Sequence, residues 1–260
     1  MREDDLLLLK RELERIKSIG WVKNRRPGNS GGVGNTLEDL LDVAENNYQL
    51  PDFGEWELKS QRAETGSLLT LFHIEPKPRS AKIIPHILLP KYGWAHQGAG
   101  AAYPLSEKSF RQTISTTIYS DRGFRVNVDN EQQKIFVSFD FSRIDERHSE
   151  WKAFIENGVG VGDINPSPFW TFDDIQNKLD TKIYNLMYVQ ADTKIENGEE
   201  FFKYKRFEAH TDPTLDRFLN LINSGYIYID FDARTGHNHG TKFRIKPAKK
   251  VELYKNHIIV

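Results

Sequence analysis

Three residues in one short stretch could do chemistry together: Asp52, Glu57 and Lys59, within Leu50-Pro51-Asp52-Phe53-Gly54-Glu55-Trp56-Glu57-Leu58-Lys59. Two carboxylates can hold a divalent cation, and an ammonium beside them can steer a water. That is the equipment of metal-assisted phosphodiester hydrolysis. Pro51 and Gly54 punctuate a turn, and Trp56 to Lys59 then alternates apolar and charged residues as a strand does. Glu57 and Lys59 therefore share one face, turned to water or a substrate, while Trp56 and Leu58 share the core face. Asp52 lies five residues before Glu57, so a straight strand would put it on the opposite face. A bend near Gly54 could bring it round. A solvated strand face would carry the same Glu-x-Lys pattern. Three neighbours favour a site: the proline directly before the acid, the apolar residues behind the charged face, and a second candidate acid upstream at Glu38.

The elements that must position this stretch can be read in turn. Residues 5–18 predict a helix, with Leu6, Leu7, Leu9, Leu13 and Ile16 as its apolar stripe and Gly20 as its stop. Lys23, Arg25 and Arg26 follow close together, as a solvated loop or as a phosphate clamp. Gly28 to Gly34 is glycine-rich but lacks the G-K-[ST] ending and the spacing of a nucleotide loop. Asn35 or Thr36 predicts the cap of a second helix with Leu37, Leu40, Leu41 and Ala44 inward. Glu38 would then sit in its first turn, where the helix dipole favours a carboxylate. Residues 67–72 predict a strand apolar enough to lie centrally in a sheet. Residues 76–106 predict a long loop whose Lys77, Arg79, Lys82 and Lys91 could meet phosphates. A hairpin at 124–128 and 134–139, helices at 172–179 and 215–222, and strands at 183–190 and 201–207 complete the pattern.

Tyr226 to Ile245 is the second informative stretch, and predicts a hairpin. Asp230, Asp232 and Arg234 share one face, and Lys242 and Arg244 share one on the return strand. A two-stranded ribbon fits the major groove, where Arg can take guanine O6 and N7 together and Asp can accept from cytosine N4. His237-x-His239 at the tip could instead be half of a metal site, with no further ligand pair evident. An ordinary solvated tip is the third reading.

The 260 residues suffice for one large domain or two lobes. We expect a catalytic lobe over 1–190 and a β-rich recognition lobe over 191–260. The absence of cysteine excludes a disulfide scaffold and Cys-ligated zinc. With a net charge of −1, a DNA-binding surface must concentrate its cations on one side. The acidic start Glu3-Asp4-Asp5 does not suit a signal peptide. No run approaches ~18 apolar residues, so no membrane span is expected. Gly-x-Ser-x-Gly and metalloprotease helix motifs are missing.

Pro51-Asp52…Glu57-Leu58-Lys59 matches the PD…(D/E)xK nuclease pattern. Gly28-Asn29…Gly34-Asn35-Thr36-Leu37-Glu38-Asp39-Leu40-Leu41 resembles the glycine loop and helix of the MutH-like branch. Added to these, Ser67 to Phe72, Lys194-Ile195-Glu196-Asn197 and His237 to Ile245 resemble the MvaI/BcnI family of type II restriction endonucleases. The likeness runs from about residue 20 to the C-terminus and is weakest across 76–106. It implies an α/β (α+β) PD-(D/E)xK fold, a mixed central sheet flanked by helices. It further implies a Mg²⁺-dependent enzyme, using one or two ions, that cuts double-stranded DNA. The target would be a short, near-palindromic site rich in C and G, cut to leave 5′ phosphates. The enzyme would act as a monomer in the bacterial cytoplasm. By position, Asp52, Glu57 and the Leu58 carbonyl would ligate Mg²⁺, Lys59 would attend the attacking water, and Glu38 would assist. His237, His239 and Arg244 fall in the DNA-reading segment, which strand geometry extends to Asp232, Arg234 and Lys242. A MutH-like nickase of mismatch repair and a catalytically silent DNA-binding module stay open as alternatives.

Overall fold

The computed structural model describes residues 3–28, 31–43 and 51–260. The chain forms two compact units, each gathered from separate segments: residues 1–69, 177–217 and 247–260 in the first, and 70–176 and 218–246 in the second. The interleaving follows from strand pairing. A single boundary near residue 190 would fall inside the strand Asn185–Glu196, which pairs residue by residue with Trp56–Arg62.

The first unit is built on a mixed five-stranded sheet. Its order is Val22–Lys23, Glu199–Pro213, Asn185–Glu196, Trp56–Arg62, with Tyr254–Ile259 also paired to Glu199–Pro213. Trp56–Arg62 is an edge strand and runs parallel to Asn185–Glu196, with Glu57 opposite Leu186 and Lys59 opposite Tyr188. The other pairings of this sheet are antiparallel. Two helices share its apolar core. Glu3–Ile19 buries Leu9, Leu13 and Ile16, spaced four and three apart, and stops at Gly20, which takes φ 78°. Leu7 belongs to the predicted stripe by composition only. It is 50% exposed, because it lies off the face that the spacing of the other three defines. Trp56, Leu58, Met187, Val189, Phe202, Tyr204 and Phe207 complete this core. Full burial of side chains this size stabilises by about 1.5–3 kcal/mol each.

The second helix, Gly32–Leu40, begins earlier than a cap at Asn35 or Thr36 would allow. No side chain caps it; the Thr36 hydroxyl instead accepts the Arg25 N–H at 3.1 Å, tying the preceding loop to the helix. Glu38 consequently sits near the C-terminal end of the helix and not in its first turn. Ala44, Asn29 and Ser30 lie outside the described residues.

The second unit contains two sheets. One runs Leu69–His73, Lys242–Ile245, Ile227–Arg234, Lys108–Ile114, Trp94–Ala95, with His237–Asn238 paired to Ile227–Arg234. The other is Arg122–Asp129, Lys134–Ile144 and Phe169–Thr171. The apolar 67–72 stretch predicts a central strand, but Leu69–His73 takes the sheet edge. Its apolar character is used against Phe218 and Phe243, whose rings lie 6.1 and 5.3 Å from that of Phe72. The predicted 76–106 loop is partly helical, through Ile84–Leu88 and Leu89–Tyr92. Tyr92 anchors it, packing edge-on to Phe124 and Phe139 at 5.8 and 5.2 Å. The 226–245 hairpin is no free ribbon. Ile227–Arg234 is flanked on its other side by Lys108–Ile114.

Candidate active site and charged sheet face

In the first unit, the turn before the edge strand is short and closed. Phe53 and Trp56 exchange two backbone hydrogen bonds at 2.9 and 2.8 Å, and Gly54 between them takes φ 55°, a conformation glycine adopts without penalty. This is the bend that Asp52 requires. Its Oδ2 accepts the Leu58 N–H at 3.0 Å, so the carboxylate folds back along the strand. Glu57 is 1% exposed, although its strand position predicts a face turned to water. Two ammonium groups cover it. Lys59 donates to Oε1, and Lys182 lies 2.7 Å from Oε2. The Lys182 ammonium also stands 3.7 Å from Asp52 Oδ1. Asp52, Glu57 and Lys59 are thus brought together, with Lys182 as a fourth member.

The electrostatics of Glu57 follow from this enclosure. Burial is the largest influence and raises its pKa; Lys59 lowers it, Asp52 raises it and Lys182 lowers it, with a net shift upward. Lys59 and Glu38 both line a cleft of about 350 Å³, together with Gly34, Ser60, Gln61 and Arg62. Glu38 therefore meets the site through this cleft. Lys23, Arg25 and Arg26 are engaged within the same unit. Lys23 pairs with Glu199, Arg25 donates to the Asp39 carbonyl at 3.3 Å, and Arg26 lies 3.1 Å from Asp39 Oδ1.

Lys182 was beyond sequence reasoning because it depends on the pairing of Trp56 with Asn185. That register places the residues just before Asn185 beside those just before Trp56, and no local pattern announces it.

In the second unit, Ile227, Ile229, Phe231 and Ala233 are buried, which leaves Asp230, Asp232 and Arg234 on the other face as predicted. Their partners form a ladder across the sheet. Asp230 accepts from Thr113 at 2.7 Å and from Arg244 at 3.1 Å. Asp232 lies 3.1 Å from Lys242 and 3.0 Å from Arg111. Burial opposes ionisation of Asp232, but the hydrogen bond and charge of Lys242, then Arg111 and His239, outweigh it and hold its pKa below the usual carboxylate range. Arg234 pairs with Glu107 at 3.0 Å and lies over the Tyr103 ring. Arg111 and Glu107 were missed because polar Gln112 on the inner face, and a buried Ser109 on the charged face, disguise the alternation of Lys108–Ile114. His237 and His239 are exposed with ring centroids 4.2 Å apart. No group of three or more His, Cys, Asp or Glu suited to a metal is present among the described residues.

A mixed sheet carrying Pro-Asp…Glu-x-Lys on an edge strand, with the two acids folded onto one cation, defines a nuclease fold of the PD-(D/E)xK type. The model of the MvaI/BcnI restriction endonuclease family matches residues 10–254, and the chain belongs to that family of DNA-cleaving enzymes. It is similar to the solved complex of the restriction endonuclease MvaI with its cognate DNA substrate, at 29% identity and a TM-score of 0.80, over 100% of this chain and 99% of that one. Against MvaI in the absence of DNA the identity is 26% and the TM-score 0.53, over 100% and 98%. Comparison with curated proteins returned no match.

Proposed function

We propose that this chain is a type II restriction endonuclease that hydrolyses DNA phosphodiesters with Mg²⁺, one or two ions, at a short, near-palindromic C/G-rich site, and leaves 5′ phosphates. The observation that carries the reading is the turn at Gly54, which folds Asp52 onto the same ammonium that pairs with Glu57. Two carboxylates already sharing one cation form a hard oxygen donor set, and Mg²⁺ characteristically uses one or two carboxylates and completes its shell with waters and phosphate oxygens. The donor set therefore suits the ion: Asp52, Glu57 and the Leu58 carbonyl would hold it. Bound there, it would polarise the scissile phosphate and offset charge as the transition state develops.

The protein's own groups supply the rest. Lys59 reaches from Glu57 to the cleft, where its ammonium can orient a water for in-line attack and stabilise negative charge on the attacking oxygen. Glu38 lines that cleft and serves as an auxiliary acid. Asp232, Arg234, His237, His239, Lys242 and Arg244 read base edges, with Lys23, Arg25 and Arg26 on the phosphates. The protein works as a monomer in the bacterial cytoplasm and cuts one strand at a time.

The test is supercoiled plasmid carrying a spread of sequences, incubated with Mg²⁺ and resolved on a gel. Discrete fragments passing through an open-circular intermediate support the reading, and sequencing their ends gives site and polarity. Open circles that persist, only on hemimethylated DNA, would replace it with a repair nickase. Intact plasmid that is nevertheless bound would leave a silent binding module.

A further inference from the structure

Resting on the metal-site reading above, we propose that Lys182 is a resident counter-cation of the Asp52–Glu57 pair, which a divalent metal must displace in order to enter. Glu57 is almost wholly buried, and each of its oxygens faces a different ammonium. The two lysines are not equivalent. Lys59 is two residues along the same strand and, among the described residues, pairs with Glu57. Lys182 reaches both acids, 2.7 Å from Glu57 Oε2 and 3.7 Å from Asp52 Oδ1. Its ammonium faces the two carboxylates that would hold the metal.

A buried, uncompensated carboxylate is costly, so a protein that holds two acids together before its metal arrives needs an interim cation. A metal on the same oxygens cannot share that place, because the ammonium would then face a dication at close range with little water between them. Lys182 is built to give way. Its backbone is fixed just past the helix Phe172–Thr181, with its N–H donating to the Lys178 carbonyl at 3.0 Å. Its side chain is 17% exposed, which opens a route to solvent. Four flexible methylenes let the ammonium withdraw while the backbone stays. Metal binding is therefore an exchange of one cation for another, and Lys182 sets how tightly the free protein holds metal.

The test uses Mg²⁺ alone, without DNA, in calorimetric titrations of the full chain paired with thermal unfolding. Lys182→Met, close in size but uncharged, should bind Mg²⁺ about tenfold or more tightly than the parent, since the metal no longer has to expel a bound ammonium. Its metal-free form should melt below the parent, and its gain in melting temperature on adding Mg²⁺ should be larger. Lys182→Arg should restore the parent's weaker binding. Should the methionine variant not fold, Lys182→Gln gives the same comparison. Equal or weaker binding by the uncharged variants, with Glu57→Gln abolishing binding in every background, would overturn the exchange while leaving the metal site standing. Absence of binding in the parent and in both uncharged variants would overturn both together.

Discussion

Arg244 and Asp230 face each other across antiparallel strands, with Nη1 3.1 Å from Oδ2, and Asp230 is held in turn by the Thr113 hydroxyl. The guanidinium is thereby held in place; if Arg244 reads a base, that base must compete with a carboxylate for it. Arg244→Ala should cost about 1–3 kcal/mol at one base pair and relax discrimination there, while other positions keep their preference. Asp230→Asn should strengthen binding to all sequences and blunt specificity, because it removes both the restraint and a negative charge. Competition binding against a panel of single-base variants checks this; an equal loss on every duplex would show a residue that grips backbone only.

Asp52→Asn, Glu57→Gln and Lys59→Met should each slow cleavage by roughly 10²–10³-fold or more, the scale on which loss of one charge-stabilising group acts. Binding of duplex in Ca²⁺ should survive in all three, since Ca²⁺ accepts similar oxygen ligands with looser geometry. Single-turnover cleavage alongside filter binding separates the two. Wild-type cleavage by the Lys59 variant would remove that residue from the mechanism.

Arg25 donates to the Asp39 carbonyl, and Arg26 pairs with the Asp39 carboxylate. If they transfer to phosphates, each alanine substitution should weaken all sequences alike and reduce the slope of log affinity against log salt by about one. Titrations at several salt concentrations measure it, and an unchanged slope assigns both arginines to holding the helix alone.

Glu208 should govern acid stability. Burial raises its pKa, but hydrogen bonds from His210 and Lys250 and the charges of Lys250 and Arg206 outweigh this and bring it down to about 2 from an ordinary 4.5. A carboxylate depressed by folding stabilises above its unfolded value, and that stability fades as pH falls from about 4.5 toward 2. Glu208→Gln should therefore destabilise at pH 7 by something on the order of 3 kcal/mol. The gap to the parent should narrow below pH 4. Urea unfolding at pH 7 and pH 3 reads the difference; a gap that persists unchanged in acid would contradict the assignment.

The active stretch was legible because its logic is local. Alternation put Trp56 and Leu58 in the core, and Gly54 marked the turn that Asp52 needs. What escaped was whatever depends on distant pairing. One of the two ammonium groups over Glu57 is that of Lys182, which belongs to another strand's approach, and the charge ladder of the second unit draws Arg111 and Glu107 from a segment whose inner face is half polar. The second helix starts at Gly32 for a related reason: Thr36, a good cap by type, spends its hydroxyl on the Arg25 amide. The long stretch 76–106 has many prolines, yet it gains order from Tyr92 among aromatic rings contributed by the later hairpin.

The hydrogen bond from the Leu58 amide to Asp52 closes a loop between residues six apart in the chain. Such a loop is sensitive to length and indifferent to much of its content. Exchanging Glu55 alters a side chain on its rim, but inserting or deleting one residue between Asp52 and Glu57 would either break the closure or turn every side chain of the strand to the opposite face. The number of residues between the acids is thus a dimension of the machine, like the throw of a crank. Transplanting this stretch into another scaffold would succeed or fail on that count before any question of residue identity arose.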